Sequence, residues 1–190
     1  MIEAELKAYV HAPEETLRRL DERAEGRAEV YQDTYYDTPD GALEARDEEL
    51  RVRTVHGSDE TRTILTYKGA RVDEESGSKP EYETRVEDAE AVHATLRGLG
   101  YEPAIAFEKR CRNYAFEAQG RQMLATLVRV PEVDGTFLEL ETLVDERELA
   151  GALDDVRKVL TELGIGAQDL TREQYTAAVK ARRLSGTAGR

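Results

Sequence analysis

The chain contains no tryptophan and a single cysteine, Cys111. One thiol excludes an internal disulfide and a cysteine-based zinc site, since each needs at least a pair. Histidine is nearly as scarce: His11, His56 and His93 are scattered, which argues against a histidine-rich metal centre. No stretch approaches the roughly 18 consecutive apolar residues that a membrane helix needs. The opening Met-Ile-Glu-Ala-Glu lacks the basic and apolar regions of a secretory signal. Positive charge is outweighed, with 27 Lys and Arg against 40 Asp and Glu, for a formal net charge of −13. A field of that sign repels nucleic acid and anionic membrane, so neither is expected as a partner. The expectation from these absences is a soluble, cytoplasmic protein.

What is present suits a modest core. Of 190 residues 39% are hydrophobic and 35% charged, enough for one domain with a thin interior. Only six of the 27 basic residues are lysine and the other 21 are arginine. Abundant acid with little lysine suits the salt-rich cytoplasm of a halophile, where screening removes the self-repulsion of such a surface. Acidic proteins of GC-rich genomes share that composition.

Periodicity lays out the elements. Ile2, Ala4, Leu6, Ala8 and Val10 alternate with Glu3, Glu5 and Lys7, which predicts a strand. Pro13 opens a helical pattern with Gly26 as its stop, and a tyrosine-rich strand over 29–37 ends in the turn Asp37-Thr38-Pro39-Asp40-Gly41. A hairpin of 50–55 and 64–68 follows, then a strand over 81–86 and a helix over 88–99. Three strands, about 105–117, 121–130 and 136–144, lead to a helix capped by Asp145 and ended at Gly164. The apolar stripe of that helix is expected to pack on the sheet, with a homodimer face as its other use. A last helix is expected over 171–184 and a disordered tail over 185–190, giving one α+β domain over 1–184.

Several strands carry charges two residues apart, opposite an apolar face: Glu3/Glu5/Lys7, Arg51/Arg53, Arg62/Lys68, Glu81/Glu83/Arg85 and Glu139/Glu141. A solvent-facing sheet explains any one such pair. The segregation into acidic and basic strands instead fits a sheet curled into a barrel, helices outside and charges inside. Unpaired charges are too costly there without ligands. Carboxylates without His or Cys suit a hard cation, Mg²⁺ or Mn²⁺, and converging Arg and Lys suit phosphate oxygens. No Gly-x-x-x-x-Gly-Lys-Ser/Thr occurs, so phosphate recognition would rest on side chains.

These residues resemble the CYTH, or triphosphate tunnel metalloenzyme, superfamily. Glu3-Ala-Glu5-Leu-Lys7 is similar to its ExExK signature, and Asp33-Thr-Tyr35-Tyr36-Asp37-Thr38, Leu50-Arg51-Val-Arg53, Leu65-Thr-Tyr-Lys68-Gly69, Glu81-Tyr-Glu83 and Phe137-Leu-Glu139-Leu-Glu141 follow in the family's order. Gly100-Tyr101-Glu-Pro103-Ala104, Glu108-Lys109, Tyr114 and Tyr175 resemble the class IV adenylate cyclase branch. The resemblance implies an eight-stranded antiparallel β-barrel tunnel with helices packed outside. It implies Glu3, Glu5, Glu139 and Glu141 as metal ligands for Mg²⁺ or Mn²⁺, and Lys7, Arg51, Arg53, Lys68 and Lys109 as triphosphate-binding bases. Glu81 and Glu83 match further tunnel acids. The implied reaction is a lyase step from ATP to cyclic AMP and pyrophosphate, or hydrolysis of thiamine triphosphate or inorganic tripolyphosphate.

Two positions depart from the family pattern. Cys111 stands where a second base follows Lys109, and Val128 or Arg129 stands where an acid is usual. Losing a base and an acid together preserves the charge balance, and leaves open a binding module that holds polyphosphate or nucleotide without turnover.

Overall fold

The structure, a computed structural model, describes residues 1–187. Along the chain run β1 (Ile2–Tyr9), α1 (Pro13–Asp21), β2 (Arg27–Asp37), α2 (Ala42–Ala45), β3 (Glu49–His56), β4 (Thr61–Lys68) and β5 (Lys79–Val86). There follow α3 (Ala89–Gly98), β6 (Glu102–Ala118), β7 (Arg121–Arg129), β8 (Phe137–Val144), α4 (Leu149–Glu162), β9 (Leu170–Thr171) and α5 (Tyr175–Thr187).

The sheet runs β5-β4-β3-β2-β6-β7-β8-β1-β9, and β5 pairs back onto β1. Eight antiparallel strands thus close into a barrel, as expected. The closing seam is short: Ile2 opposes Pro80 and Glu3 opposes Lys79. Farther along, β1 pairs instead with β9, through Lys7 with Thr171 and Ala8 with Leu170.

Period-2 geometry sends successive side chains of each strand to opposite faces. The outward face of β1 (Ile2, Ala4, Leu6 and Ala8), with Val10 just past its end, joins Leu138, Leu140 and Val144 of β8 under α4. That helix contributes Leu149, Leu153, Val156, Val159 and Leu160, so its stripe packs on the barrel. Each such fully buried aliphatic side chain contributes about 1.5–3 kcal/mol. A smaller cluster joins Leu96 of α3 to Tyr36 and Val52. A third is formed by Val55, Phe107, Cys111, Val128 and Phe137, with Tyr175 and Val179 of α5 packed among them.

Several boundaries differ from the sequence expectation. Asp145 makes no capping bond, because the chain enters α4 through a 3-10 turn over Glu146–Glu148. Gly26 lies beyond the end of α1. It is required for close approach instead, since a Cβ there would stand 2.5 Å from Arg112 Nε and 2.7 Å from the Tyr114 ring. The one-turn α2 has no apolar periodicity; it forms because the Asp37 carboxylate accepts from the Leu43 and Glu44 amides at 2.8 and 3.0 Å. The last helix starts at Tyr175, after the two-residue β9, and continues through Thr187. Arg183 anchors it, donating to Glu132 at 2.7 Å and to the Ala106 carbonyl at 2.8 Å. The rest of the expected tail, 188–190, lies outside the described residues.

Leu160→Ala should leave a cavity between α4 and the barrel and lower stability by about 2–5 kcal/mol. Leu99→Ala, at a side chain 70% exposed, should change it by no more than about 0.5 kcal/mol. Urea titration of both variants checks the packing: equal effects would contradict it.

Candidate metal and polyphosphate site

The inward face of β1 presents Glu3, Glu5 and Lys7. Its register with β8 sets Glu5 opposite Glu141 and Lys7 opposite Glu139. Carboxylate oxygens of Glu3, Glu5 and Glu141 all lie within 4.8 Å of one another. Glu139 does not join that group; its Oε1 faces Lys109 Nζ at 3.8 Å. Three hard oxygen donors without His or Cys fit Mg²⁺ or Mn²⁺.

The electrostatics separate these acids. Burial, then the nearby Glu3 and Glu139 carboxylates, push Glu5 up to about 8. Burial, then Glu3 and Glu5, push Glu141 well above the ordinary carboxylate range. Burial acts to raise Glu139 too, yet Lys109 and Lys7 overcome it and hold that carboxyl low. Crowded acids with too few cations are the condition that a bound divalent cation relieves.

The cations come from the facing strands. Arg53 donates from Nε and Nη2 to Asp33 at 2.6 and 2.7 Å, a bidentate pair across β2 and β3. Burial alone would raise Asp33, but Arg53 wins and holds it at about 2. Lys68 ion-pairs with Glu3 and lies 2.9 Å from Glu81. Arg51 is 8% exposed, donates to the Thr66 hydroxyl at 3.2 Å, and leaves its buried Nε without a partner. Thr66 in turn donates to Glu83 at 3.2 Å. Lys7 and Lys109 sit 4.3 and 4.2 Å from the centre of the Tyr175 ring. The Tyr175 phenol is pushed well above its ordinary value, first by burial and then by Glu139.

All of Glu3, Glu5, Lys7, Arg51, Arg53, Lys68, Glu81, Glu83, Lys109, Glu139 and Glu141 line one cavity of about 380 Å³. Sequence reasoning had not assigned a site role to Asp33, Thr66 or Tyr175, nor to Glu49, Lys79 and Arg172, which also line it. Thr66 was signalled by its place two residues before Lys68 on one strand face. Arg172 carried no comparable signal.

Cys111 and Val128 oppose each other across β6 and β7, and both are buried in the apolar cluster, while Arg129 is exposed. The position facing the interior is therefore Val128. Burial pushes the Cys111 thiol up to about 12, which makes it a poor nucleophile. Arg112 is on the outer face, near Asp21 and Tyr114.

Comparison with known proteins supplies the context. The family model described as the CYTH domain matches residues 1–175. A Methanocaldococcus jannaschii protein provisionally named an adenylate cyclase is 25% identical over 178 residues, covering 92% of this chain and 97% of that one. The adenylate cyclase CyaB of Aeromonas hydrophila is 30% identical over 148 residues, 76% of this chain and 69% of that one. A solved Pyrococcus horikoshii protein superposes with a TM-score of 0.79 at 29% identity, covering 95% of this chain and 99% of that one. A solved Hippeastrum protein, described as having a dominant triphosphatase activity, shares the fold with a TM-score of 0.63 at 15% identity, over 95% of each chain.

Glu5 also makes a pH prediction for the metal-free protein. Its folded value of about 8 exceeds the ordinary 4.5, so its contribution to stability is full below 4.5 and is lost as pH rises through 8. In EDTA, stability should fall between pH 5 and 8 by up to about 1.4 kcal/mol per pH unit from this group. Glu5→Gln should flatten that slope. Parallel slopes in urea titrations at several pH values would contradict the buried position of Glu5.

Proposed function

This chain belongs to the CYTH domain family, and from that premise we propose that it is a divalent-metal-dependent enzyme of triphosphates, converting ATP to cyclic AMP and pyrophosphate. One observation carries the reading: a group of three carboxylates faces a row of buried cations across a single cavity. Glu3, Glu5 and Glu141 would hold the cation, Mg²⁺ or Mn²⁺, with Glu139 beside them. Such an ion would withdraw charge from phosphate oxygens and favour ionisation of a ribose hydroxyl.

The chain's own groups do the rest. Arg51, with its unpartnered Nε, and Arg53, fixed by Asp33, take the charge of the phosphate chain. Lys68 and Lys109 add ammonium groups, and Lys7 stands against the same Tyr175 ring as Lys109. Holding the triphosphate along this row sets the ribose 3′-oxygen against the α-phosphorus. The 3′-oxygen bonds to the α-phosphorus as the bond from that phosphorus to its bridging oxygen breaks; pyrophosphate leaves with the bridging oxygen and the hydroxyl proton passes to solvent. Naming of relatives as adenylate cyclases supports the reading.

A second reading is hydrolysis of thiamine triphosphate or inorganic tripolyphosphate, with water as nucleophile. It is favoured by the charged part of the cavity, whose cations and hydroxyls match phosphate oxygens and whose carboxylates match a divalent cation. Purified protein given each triphosphate with Mg²⁺ or Mn²⁺ in high KCl separates the two: cyclic AMP supports the first, orthophosphate the second. No turnover of any of them contradicts both and leaves a binding module.

Within either reading, Arg51→Ala should weaken binding of tripolyphosphate in Mn²⁺ by tenfold or more, since one contact to a charged group contributes about 1.5–3 kcal/mol. Arg112→Ala, on the outer face, should change it by less than about twofold. Calorimetric titration measures both, and similar small effects would remove the cavity from phosphate binding.

A further inference from the structure

Lys68 holds a position that no other cavity cation shares. Its ammonium pairs with Glu3 and also lies 2.9 Å from Glu81, and the three side chains are only 14, 10 and 13% exposed. Glu3 is at the same time one of the three acids gathered with Glu5 and Glu141. The remaining cations are placed otherwise. Arg53 is held by Asp33, Lys79 by Asp47 and Glu49, and Lys109 faces Glu139, outside the group. Lys7 and Arg51 have no carboxylate partner among the described residues.

We propose that Lys68 is the internal counter-ion of the Glu3–Glu5–Glu141 group, and that its transfer from Glu3 to a bound phosphate links cation binding to polyphosphate binding. The inference rests on the reading of this cavity as a metal and triphosphate site. An ammonium and a divalent cation compete for the same Glu3 oxygens, because two positive charges cannot share them without repulsion in so dry a place. When Glu3 turns to a divalent cation, Lys68 keeps Glu81 and needs a new anion, which a phosphate oxygen supplies. A polyphosphate arriving alone must instead draw Lys68 from Glu3 and leave a buried carboxylate without its counter-ion, an expensive state. Each ligand thereby raises the affinity of the other, and linkage makes the effect reciprocal.

The arrangement makes a counterintuitive prediction about a mutation in the acid group. Glu3→Gln releases Lys68, so it should bind metal-free inorganic tripolyphosphate in EDTA about fivefold or more tightly than wild type. Removing a negative charge has some effect of its own, and the same substitution in a Lys68→Met background measures that part. There it should change affinity by no more than about twofold. Calorimetry on wild type, both single variants and the double variant closes the cycle, with circular dichroism confirming the folded state. If Glu3→Gln does not fold, Glu81→Gln releases the other anchor, and its gain should likewise vanish with Lys68→Met. Equal gains in both backgrounds overturn the role of Lys68 while leaving the site intact. Failure of wild type to bind tripolyphosphate even in Mn²⁺ overturns the reading of the cavity and the linkage with it.

Discussion

Charge placed where a barrel would otherwise have a core is the constraint on which this structure depends. Because side chains of a strand alternate, the face of β1 that buries Ile2, Ala4, Leu6 and Ala8 under α4 commits Glu3, Glu5 and Lys7 to the interior. Buried ions are costly unless paired. Pairing is close for Arg53 with Asp33 and looser for Lys109 with Glu139. It fails for Glu5 and Glu141, whose carboxyls are driven toward their neutral forms by burial and by one another. The helices outside stabilise a fold whose interior remains electrostatically unfinished, and that unfinished part is the proposed site.

The interior has two chemistries side by side. Val55, Cys111, Val128 and Phe137 form an apolar cluster with Tyr175 and Val179 of α5. Tyr175 joins this cluster to the charged part, since its ring packs edge-on against Phe137 at 5.3 Å and also meets the ammonium groups of Lys7 and Lys109. The face of a phenol ring attracts cations, so an apolar neighbour here costs the lysines less than an aliphatic one would. Cys111 lies directly across from Val128. The two form a matched apolar pair, which leaves no orphan charge.

Much of this was legible in the sequence because strand alternation is a local signal. The charged face of β1, β3, β4, β5 and β8 could be read from spacing alone, whereas that this face lines a closed barrel came from the family resemblance. What depended on register could not. Glu139 and Glu141 occupy the same face of β8, and only their pairing with Lys7 and Glu5 decides which joins the carboxylate group. Which of Val128 and Arg129 faces the interior likewise needed the β6–β7 register. The capping of α2 by Asp37, through the Leu43 and Glu44 amides, and the pairing of the two-residue β9 with β1 leave no periodic trace.

The central claim, that the uncompensated interior charge is a metal and phosphate site, is tested most directly by thermal denaturation with Mn²⁺ in high KCl. Wild type should gain roughly 2.7 kcal/mol of stability at a hundredfold excess of Mn²⁺ over its dissociation constant. Glu141→Gln should lose most of that gain. A Mn²⁺ shift undiminished in Glu141→Gln would contradict the account, because the carboxylate group would then not be what holds the ion.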